Sequence, residues 1–571
     1  MKRTSWFLLF IIFLAAVLRL YQLGKTPISL EWDEVAIGYD AYSILKTGKD
    51  QFGKFLPLTF RSLDDYKPPI YEYVTIPSVA LFGLNEFSVR FPSALFGVLT
   101  VLATYWLVKE IFSAYSTPGE SRPASPLRPA TPGVYKLGLL AAFFLAISPW
   151  HLQFSRAAFE VNLSVFITVA AVASFLTGLK NSKYFLLSAF LFGIDLFSYH
   201  STRVVTPLIL ISLFFIFNKQ LPNRKTVFSF FLIYGLFFLG FLPILFSADA
   251  QIRFKATNIF NPGARYLDEK DLEKIYLDKR IYDKNAGFET AGKIFHNQRL
   301  IYADYDTLKK AFGKYISHFG FEYLFIKGDA PLHHAPDFGL LYIWELPFIL
   351  AGLFFILYKG LNRYTLILPL WMLFAPLPVA VTREAPHAVR SELFLPLFQI
   401  FTAVGVVILF DKIKRESKWV IVSFIFLGTF LLAVNNAYYL HQYYVHTNYE
   451  LSKNWLYGRK EAALFTERLK QNYDNVLVSM KVDMPYIFWL FYTKYSPAKY
   501  IAEGSTVSGG FADERNRFDK YEFRNFNYNE LPHEKKLLLV GIPADFPPDA
   551  KIIKTIYYLD GKEALKIAEN K

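Results

Sequence analysis

The sequence predicts a mainly α-helical membrane protein, a bundle of about eleven transmembrane helices followed by a small α/β domain. Three observations predict this class. Of the 571 residues, 53% are hydrophobic and 19% charged, a balance typical of a surface that faces lipid. Apolar runs as long as a bilayer span recur up to about residue 440. Beyond that point the apolar runs shorten and alternate with polar residues, as in a soluble domain.

The first predicted span follows the basic residues of the N-terminus. It lacks a small-residue cleavage site and is about long enough to cross a bilayer, so we interpret it as an uncleaved helix. The apolar runs predict spans at 5–22, 90–112, 136–150, 160–178, 183–198, 203–218, 226–246, 340–358, 364–381, 391–411 and 418–440.

The Lys and Arg residues between these spans predict their orientation, because cytoplasmic connections carry the excess of basic residues. With the N-terminus inside, the connections that fall inside are all basic, namely 113–136, 180–183, 218–225, 358–363 and 411–418. This placement also explains the net charge of +14 without a nucleic-acid partner. The absence of cysteine excludes disulfides, thiolate metal sites and cysteine nucleophiles.

The connections that fall outside hold mixed acidic, basic and aromatic clusters, so we expect any chemistry on the outer face. These connections are 23–89, 148–156, 198–203, 247–339, 382–390 and the chain after about 441. In 23–89, residues at four-residue spacing predict a short amphipathic interfacial helix from Asp33 to Leu45, and a second helix is predicted from Tyr71 to Leu84. The Pro-rich segment 113–134 predicts a disordered connector, and 247–339 is long enough to act as a lid.

The predicted division is therefore a membrane domain at 1–440 and a soluble outer domain at 441–571. Within the second, the patterns predict a helix at 458–471, a strand at 475–480, an aromatic helix at 484–495, a strand at 536–542 and a hairpin around Asp560-Gly561.

Three carboxylates, Glu31, Asp33 and Glu34, follow the first span. An ionised carboxylate at a membrane surface is costly unless it is paired or functional. One interpretation is that these side chains only cap and solvate the helix that they begin. The other is that they act on a substrate.

Cations at the outer ends of the spans favour the second interpretation. Taken singly, each is better explained by topology or snorkelling, but together they suit a substrate that is anionic and partly lipid, such as a phosphate or diphosphate on an isoprenoid chain. The cations are Arg61, Lys67, Arg156, Arg203, Arg383, His387 and Arg390.

Several motifs resemble the multi-spanning glycosyltransferases of the C fold. They are Trp32-Asp33-Glu34, "YKPPIYEYVTIPSVALFGLNEFSVRFPSAL", "SPWHLQFSR" and "YHSTR". Within that fold the chain is most similar to the bacterial branch related to protein O-mannosyltransferases and lipid A aminoarabinose transferases. The resemblance covers roughly 1–240, weakens at "TREAPHAVRS" and says little about 441–571.

The resemblance implies an inverting hexosyl- or pentosyltransferase, multi-pass in the plasma membrane, that uses a polyprenyl-phosphate sugar and a protein, lipid or glycan acceptor. Asp33 is implied as the base or as the group that positions the acceptor, and Glu34 as a second catalytic group or as the group that holds Asp33. The implied binding site for the donor phosphate consists of Lys67, Arg61, Arg156, Arg203, Arg383 and His387.

No cofactor is expected. Some members of the wider fold use a divalent cation, and Asp33 with a second outer carboxylate could supply oxygen ligands, but the nearer branch does not obviously need one. The adjacent His333 and His334 lack the spacing of a shared-face ligand pair, so no metal site is predicted there.

Two alternatives remain at this point. A transporter would place ionisable groups near the membrane midplane and often shows repeated halves, whereas here Asp195 is the chief charged residue inside a span. An inactive scaffold of the same fold would keep the motifs without turnover.

Overall fold

The computed structural model describes residues 2–62, 65–113, 132–247, 269–296, 302–413, 415–505 and 517–570. Most of the predicted disordered connector and Asp64, of the first outer connection, lie outside these ranges.

Helices dominate the first 450 residues. In chain order they are α1 (Lys2–Leu20), α2 (Trp32–Thr47), α3 (Ile70–Phe82), α4 (Glu86–Ser113), α5 (Pro132–Ile147), α6 (Pro149–Ser155), α7 (Glu160–Gly178), α8 (Ser182–Asp195), α9 (Thr202–Phe217), α10 (Arg224–Leu245), α11 (Glu269–Asn285), α12 (Glu289–Phe295), α13 (Tyr302–Ser317), α14 (Glu345–Tyr358), α15 (Ile367–Phe374), α16 (Leu377–Ala380), α17 (Leu397–Ile413), α18 (Lys418–His441) and α19 (Thr447–Glu450).

Each predicted span contains a helix, but not every helix is long enough to cross a bilayer. Within the described residues five helices pass by length and composition, or six if a bent pair counts as one span. The other apolar helices have 10–17 residues. At 1.5 Å per residue they reach about 25 Å or less, short of the hydrocarbon thickness of about 30 Å. The count of eleven spans therefore stays a prediction.

The bent pair corrects one predicted span. Residues 136–150 were expected to form one helix, but α5 and α6 meet at 60°. Ser148 adopts an extended ψ of 126° and Pro149 opens the next helix. Proline disfavours helical backbone in the residue before it and fits the first helical turn, which accounts for the break.

Helix α2 is predicted correctly as a helix, but it is not the half-exposed interfacial helix that its pattern indicated. Most of its length, from Glu34 to Ile44, is buried. At Gly38 a β-carbon would come within 2.6 Å of the side chains of both Val89 and Phe491. The helix is thus packed between α4 on one side and the C-terminal part of the chain on the other.

The C-terminal part contains a six-stranded sheet. Its strands are β3 (Asn475–Val478), β4 (Arg517–Phe518), β5 (Tyr521–Phe523), β6 (Leu537–Gly541), β7 (Lys551–Tyr557) and β8 (Glu563–Glu569), in the order β4-β5-β3-β6-β8-β7. Strand β3 is parallel to both of its neighbours, and β6, β8 and β7 are antiparallel. The remaining helices are α20 (Arg459–Leu469), α21 (Pro485–Tyr492) and α22 (Pro497–Ala502).

The sequence located most of these elements correctly, including the strands β3 and β6, the hairpin β7–β8, α20 and the aromatic helix α21. Every residue of α21 is buried, and the helix packs on α2. Tyr39 of α2 donates a hydrogen bond to the carbonyl of Tyr495, at 3.0 Å.

Candidate active site

The first turn of α2 arranges the three acidic side chains differently. Glu31 is the N-cap and accepts a hydrogen bond from the Asp33 N–H at 2.9 Å, while Glu34 accepts one from the Glu31 N–H at 3.1 Å. This reciprocal capping box satisfies two otherwise unpaired backbone donors. The capping box therefore accounts for Glu31 and Glu34, which are buried, and Asp33 lies outside this box with a side chain that is 43% exposed.

Glu34 forms a buried, two-pronged ion pair with Arg90 of α4. Its two carboxylate oxygens each lie 2.9 Å from a guanidinium nitrogen, and one of them also accepts the Ala158 N–H at 2.9 Å. Arg90 further donates to the carbonyls of Leu23, Pro27 and Ser29. Glu34 thereby joins the first outer connection, the second predicted span and the loop before α7.

Asp33 is the outermost member of a second network, which also contains Lys67 and Glu160. Lys67 donates to Asp33 Oδ1 at 2.9 Å and to Glu160 Oε1 at 3.3 Å, and the lysine side chain is only 7% exposed. Burial favours the neutral amine, but the carboxylates of Asp33 and Glu160 outweigh it and hold the pKa of Lys67 above its usual value. Lys67 therefore remains a cation that fixes one oxygen of an outward-facing carboxylate.

A short β-hairpin positions Lys67 beside Asp33. Strands β1 (Phe60–Ser62) and β2 (Asp65–Lys67) pair antiparallel, with Phe60 opposite Lys67. Pro68 and Pro69 then lead into α3, whose first residue is Ile70. Proline suits the entry to a helix, so the "KPP" sequence fixes the direction in which the chain leaves the site.

Two members of these networks were missed by the sequence analysis. Glu160 was treated as the first residue of a span at 160–178 and Arg90 as the first residue of a span at 90–112. Each is a charged residue at the outer end of an apolar run. A charged residue in this position drew attention to Asp33, and the same signal could have identified Glu160 and Arg90.

Arg156, predicted to bind the donor phosphate, donates mainly to backbone carbonyls, and its contribution to phosphate binding stays a prediction. It is almost fully buried and donates to the carbonyls of Leu18, Arg19 and Thr26 and to the Tyr443 hydroxyl, at 2.9 to 3.2 Å. The geometry favours a bracing role at the end of the first helix.

Arg61 and Arg203 are less enclosed. The Arg61 guanidinium lies 4.9 Å from the centre of the Phe52 ring. Arg203 donates to the Leu196 carbonyl at 3.2 Å and lies 2.8 Å from His200 Nδ1. Their contribution to phosphate binding stays a prediction.

Arg383 and His387 lie in the connection 382–390, which meets the segment before α14. Lys314 donates to the Arg383 carbonyl at 2.8 Å. His387 lies beside Asp329 and His333, and the ligand atoms of these three side chains are all within 4.8 Å of one another. We call Asp329, His333 and His387 the His/Asp cluster.

Several solved structures are similar to this chain, and those of one bacterial protein match it over its full length. ArnT from Cupriavidus metallidurans in the apo state matches with a TM-score of 0.51 and 11% identity, covering 100% of this chain and 99% of ArnT. The same protein bound to undecaprenyl phosphate gives 0.51 and 12%, with coverage of 100% and 98%. The Archaeoglobus fulgidus oligosaccharyltransferase gives 0.49 and 16%, covering 85% of this chain but 61% of that one.

A family model described as dolichyl-phosphate-mannose-protein mannosyltransferase matches residues 66–117, from the β1–β2 hairpin past the end of α4. No curated protein sequence matches the chain at a comparable level. The matched segment contains Lys67 and Arg90, one cation from each network. The predicted resemblance to C-fold glycosyltransferases related to protein mannosyltransferases is confirmed.

Proposed function

We propose that this chain transfers a sugar from a polyprenyl-phosphate donor to an acceptor on the outer face of the membrane, with Asp33 as the base. One observation carries the proposal: Asp33 is the exposed end of an otherwise buried Asp33–Lys67–Glu160 network. A charged network of this kind is costly to bury, and it leaves a single carboxylate facing outward.

The chemistry needs one oxygen to accept a proton. As the acceptor hydroxyl attacks the anomeric carbon, its proton passes to Asp33, the bond from that carbon to the phosphate oxygen breaks, and the lipid phosphate leaves. Attack from the side opposite the leaving group inverts the anomeric configuration. Lys67 holds Asp33 Oδ1 in place for this step.

Lys67 thus acts mainly as a positioning residue. Direct contact with the donor phosphate would require it to leave one of its two carboxylates, because its ammonium is enclosed between them. We propose that Arg61, Arg203 and Arg383 supply the phosphate contacts, and that Glu34 positions Asp33 through α2 rather than reacting.

Similarity supports the class of donor. The ArnT structure that shares the fold was solved with undecaprenyl phosphate, which is a polyprenyl phosphate. The basic connections predicted to lie inside support the proposal that the first turn of α2 and the C-terminal part lie on the outer face. We propose that the C-terminal part shapes the acceptor side of the site.

The structure provides no support for the transporter alternative at its main candidate residue. Asp195 is fully buried, and its carboxylate accepts hydrogen bonds from Thr168 at 2.7 Å and from Ser198 at 2.5 Å. Both partners come from neighbouring helices or turns, as expected of a structural group.

The test compares sugar transfer by the wild type, Asp33→Asn and Glu322→Gln. Membranes with equal amounts of each protein receive a panel of labelled polyprenyl-phosphate sugars, and incorporation into any acceptor is measured. Asp33→Asn should lose about a hundredfold, the size expected for a positioned base. Glu322→Gln, the same kind of change at an exposed carboxylate, should behave as wild type.

Activity of Asp33→Asn within about threefold of wild type, on a donor that the wild type consumes, would refute the assignment of the base. Failure of the wild type to consume any donor in the panel would refute the donor class.

A further inference from the structure

The His/Asp cluster has the composition of a metal site although its residues come from two separate loops. Asp329 and His333 lie between α13 and α14, and His387 lies between α16 and α17. His333 Nδ1 is 2.8 Å from Asp329 Oδ2, and His387 Nδ1 is 3.8 Å from the same oxygen. Two imidazoles and a carboxylate form a typical three-ligand set for zinc, which is completed by a fourth ligand.

These separations are close to those that a metal would impose. Ligand atoms at 2.0–2.1 Å from a tetrahedral zinc are separated from one another by about 3.3 Å. The two measured contacts to Asp329 lie on either side of that value, and all three ligand atoms fit within 4.8 Å. Closing the set around an ion therefore needs side-chain shifts and no rearrangement of the loops.

Two polar atoms of the cluster are buried without a partner. Asp329 Oδ1 and His387 Nδ1 accept no hydrogen bond from any described residue. The Asp329 side chain is only 9% exposed, so an unpaired oxygen there carries a desolvation cost. A cation held by Asp329 and His333 would give His387 Nδ1 a partner, because this atom lies 3.8 Å from Asp329 Oδ2.

The surroundings also orient the ligands. The Ala388 N–H donates to Asp329 Oδ2 at 2.8 Å. Glu384 Oε2 lies 3.9 Å from His387 Nε2, on the side of the ring away from Asp329.

We propose that Asp329, His333 and His387 bind one divalent transition-metal ion, zinc by preference, that joins the two loops. The ion takes the place of the proton between His333 Nδ1 and Asp329 Oδ2, and the His333 ring keeps its proton on Nε2. The fourth position is left to water. Asp33 takes no part, so the site stands independently of the proposed transfer reaction.

The site also braces the region next to the candidate active site. The His333 ring packs on Phe154 and Phe159, with centroids 5.8 and 5.9 Å apart. Gln153 donates to the Leu332 carbonyl at 2.6 Å. Phe159 directly precedes Glu160, the buried end of the Asp33–Lys67–Glu160 network. A metal at the cluster would fix the loop that supplies this carboxylate.

The first measurement is the metal content of the full-length protein purified in detergent without chelator. We expect about one equivalent of zinc per chain by elemental analysis. After removal with a chelator, added Zn²⁺ should restore one equivalent and raise the thermal midpoint, and Mn²⁺ should do so less well. Less than a tenth of an equivalent in the purified protein, with no binding of added Zn²⁺ at micromolar concentration, would overturn the proposal.

Variants locate the site. Asp329→Asn and the pair His333→Gln with His387→Gln should weaken Zn²⁺ binding at least about tenfold. His334→Gln is the matched control, because His334 is adjacent in sequence but its Nδ1 lies 3.0 Å from the Ala335 carbonyl. Equal loss of zinc in His334→Gln, or full retention in Asp329→Asn, would overturn the assignment. If the cluster variants do not fold, the stoichiometry and thermal shift of the wild type still decide.

Discussion

Asp33 and Glu34 are adjacent in sequence and each binds one cation, yet they end in opposite environments. Glu34 lies in the interior with both oxygens on Arg90, whereas Asp33 shares Lys67 with Glu160 and faces outward. Consecutive residues on a helix point about 100° apart, which is enough to turn one side chain inward and the next outward. The comparison shows that two adjacent acidic residues can differ in role: Glu34 is buried in an ion pair that holds the fold, whereas Asp33 leaves a carboxylate exposed.

The largest expected effect comes from the inner pair. Glu34→Gln leaves the Arg90 charge buried without its partner, and breaking a buried pair costs about 3–5 kcal/mol. We expect a marked fall in the thermal unfolding midpoint in detergent. Glu322→Gln, at an exposed pair, is the control. An unchanged midpoint for Glu34→Gln would remove the distinction between the two networks.

Changing the outer carboxylate, Asp33, should have the opposite pattern of effects, a small change in stability and a large loss of activity. Asp33→Asn should change the stability by at most about 1 kcal/mol, because the pair with Lys67 is partly exposed on the aspartate side. Its transfer activity should fall about a hundredfold. Measuring the midpoint and the transfer rate on the same preparation separates the two effects. A midpoint that falls as far as that of Glu34→Gln would mean that Asp33 is structural too.

The expected effect of changing Glu160 is intermediate. Glu160→Gln removes one of the two carboxylates on Lys67 but leaves Asp33 paired. We expect about a tenfold loss of transfer, since Asp33 keeps its contact with Lys67 and loses part of its positioning. The transfer rate of Glu160→Gln should depend on acceptor concentration in the same way as that of the wild type. A loss as large as that of Asp33→Asn would make Glu160 a reacting group.

The smallest effect concerns pH. The folded state raises the pKa of Lys67, so the stability that this group adds is complete below its unfolded pKa of about 10.4 and is lost only as the pH rises toward the higher folded value. Between pH 7 and pH 9.5 the wild type and Lys67→Met should therefore differ in midpoint by a constant amount. A difference that shrinks within this window would show that Lys67 is not held as a cation.

The sequence predicted the parts of the site that are local in the chain. Asp33 and Lys67 were found because each is a charged residue beside an apolar run or a proline pair. Their partners were not found, since Glu160 is 93 residues from Lys67 and Arg90 is 56 residues from Glu34. Pairing over such distances depends on helix packing, which charge pattern alone does not specify.

The histidines show the same limit. His333 and His334 were weighed as a pair because they are adjacent, but only His333 belongs to the cluster, and its partner His387 comes from another loop. Likewise, apolar length predicted one helix where Pro149 divides two. Hydropathy reports which segments are apolar and not where a proline turns them.

The close approach at Gly38 bears on how this protein could be altered. A side chain larger than hydrogen there would displace Val89 of the membrane part or Phe491 of the C-terminal part. Helix α2, which carries Asp33, therefore packs against both the membrane part and the C-terminal part. Replacing either part by that of a homologous protein requires a surface that fits α2. Chimeras joined between α18 and α20 should work only when the surface of α2 and the aromatic helix α21 are exchanged together.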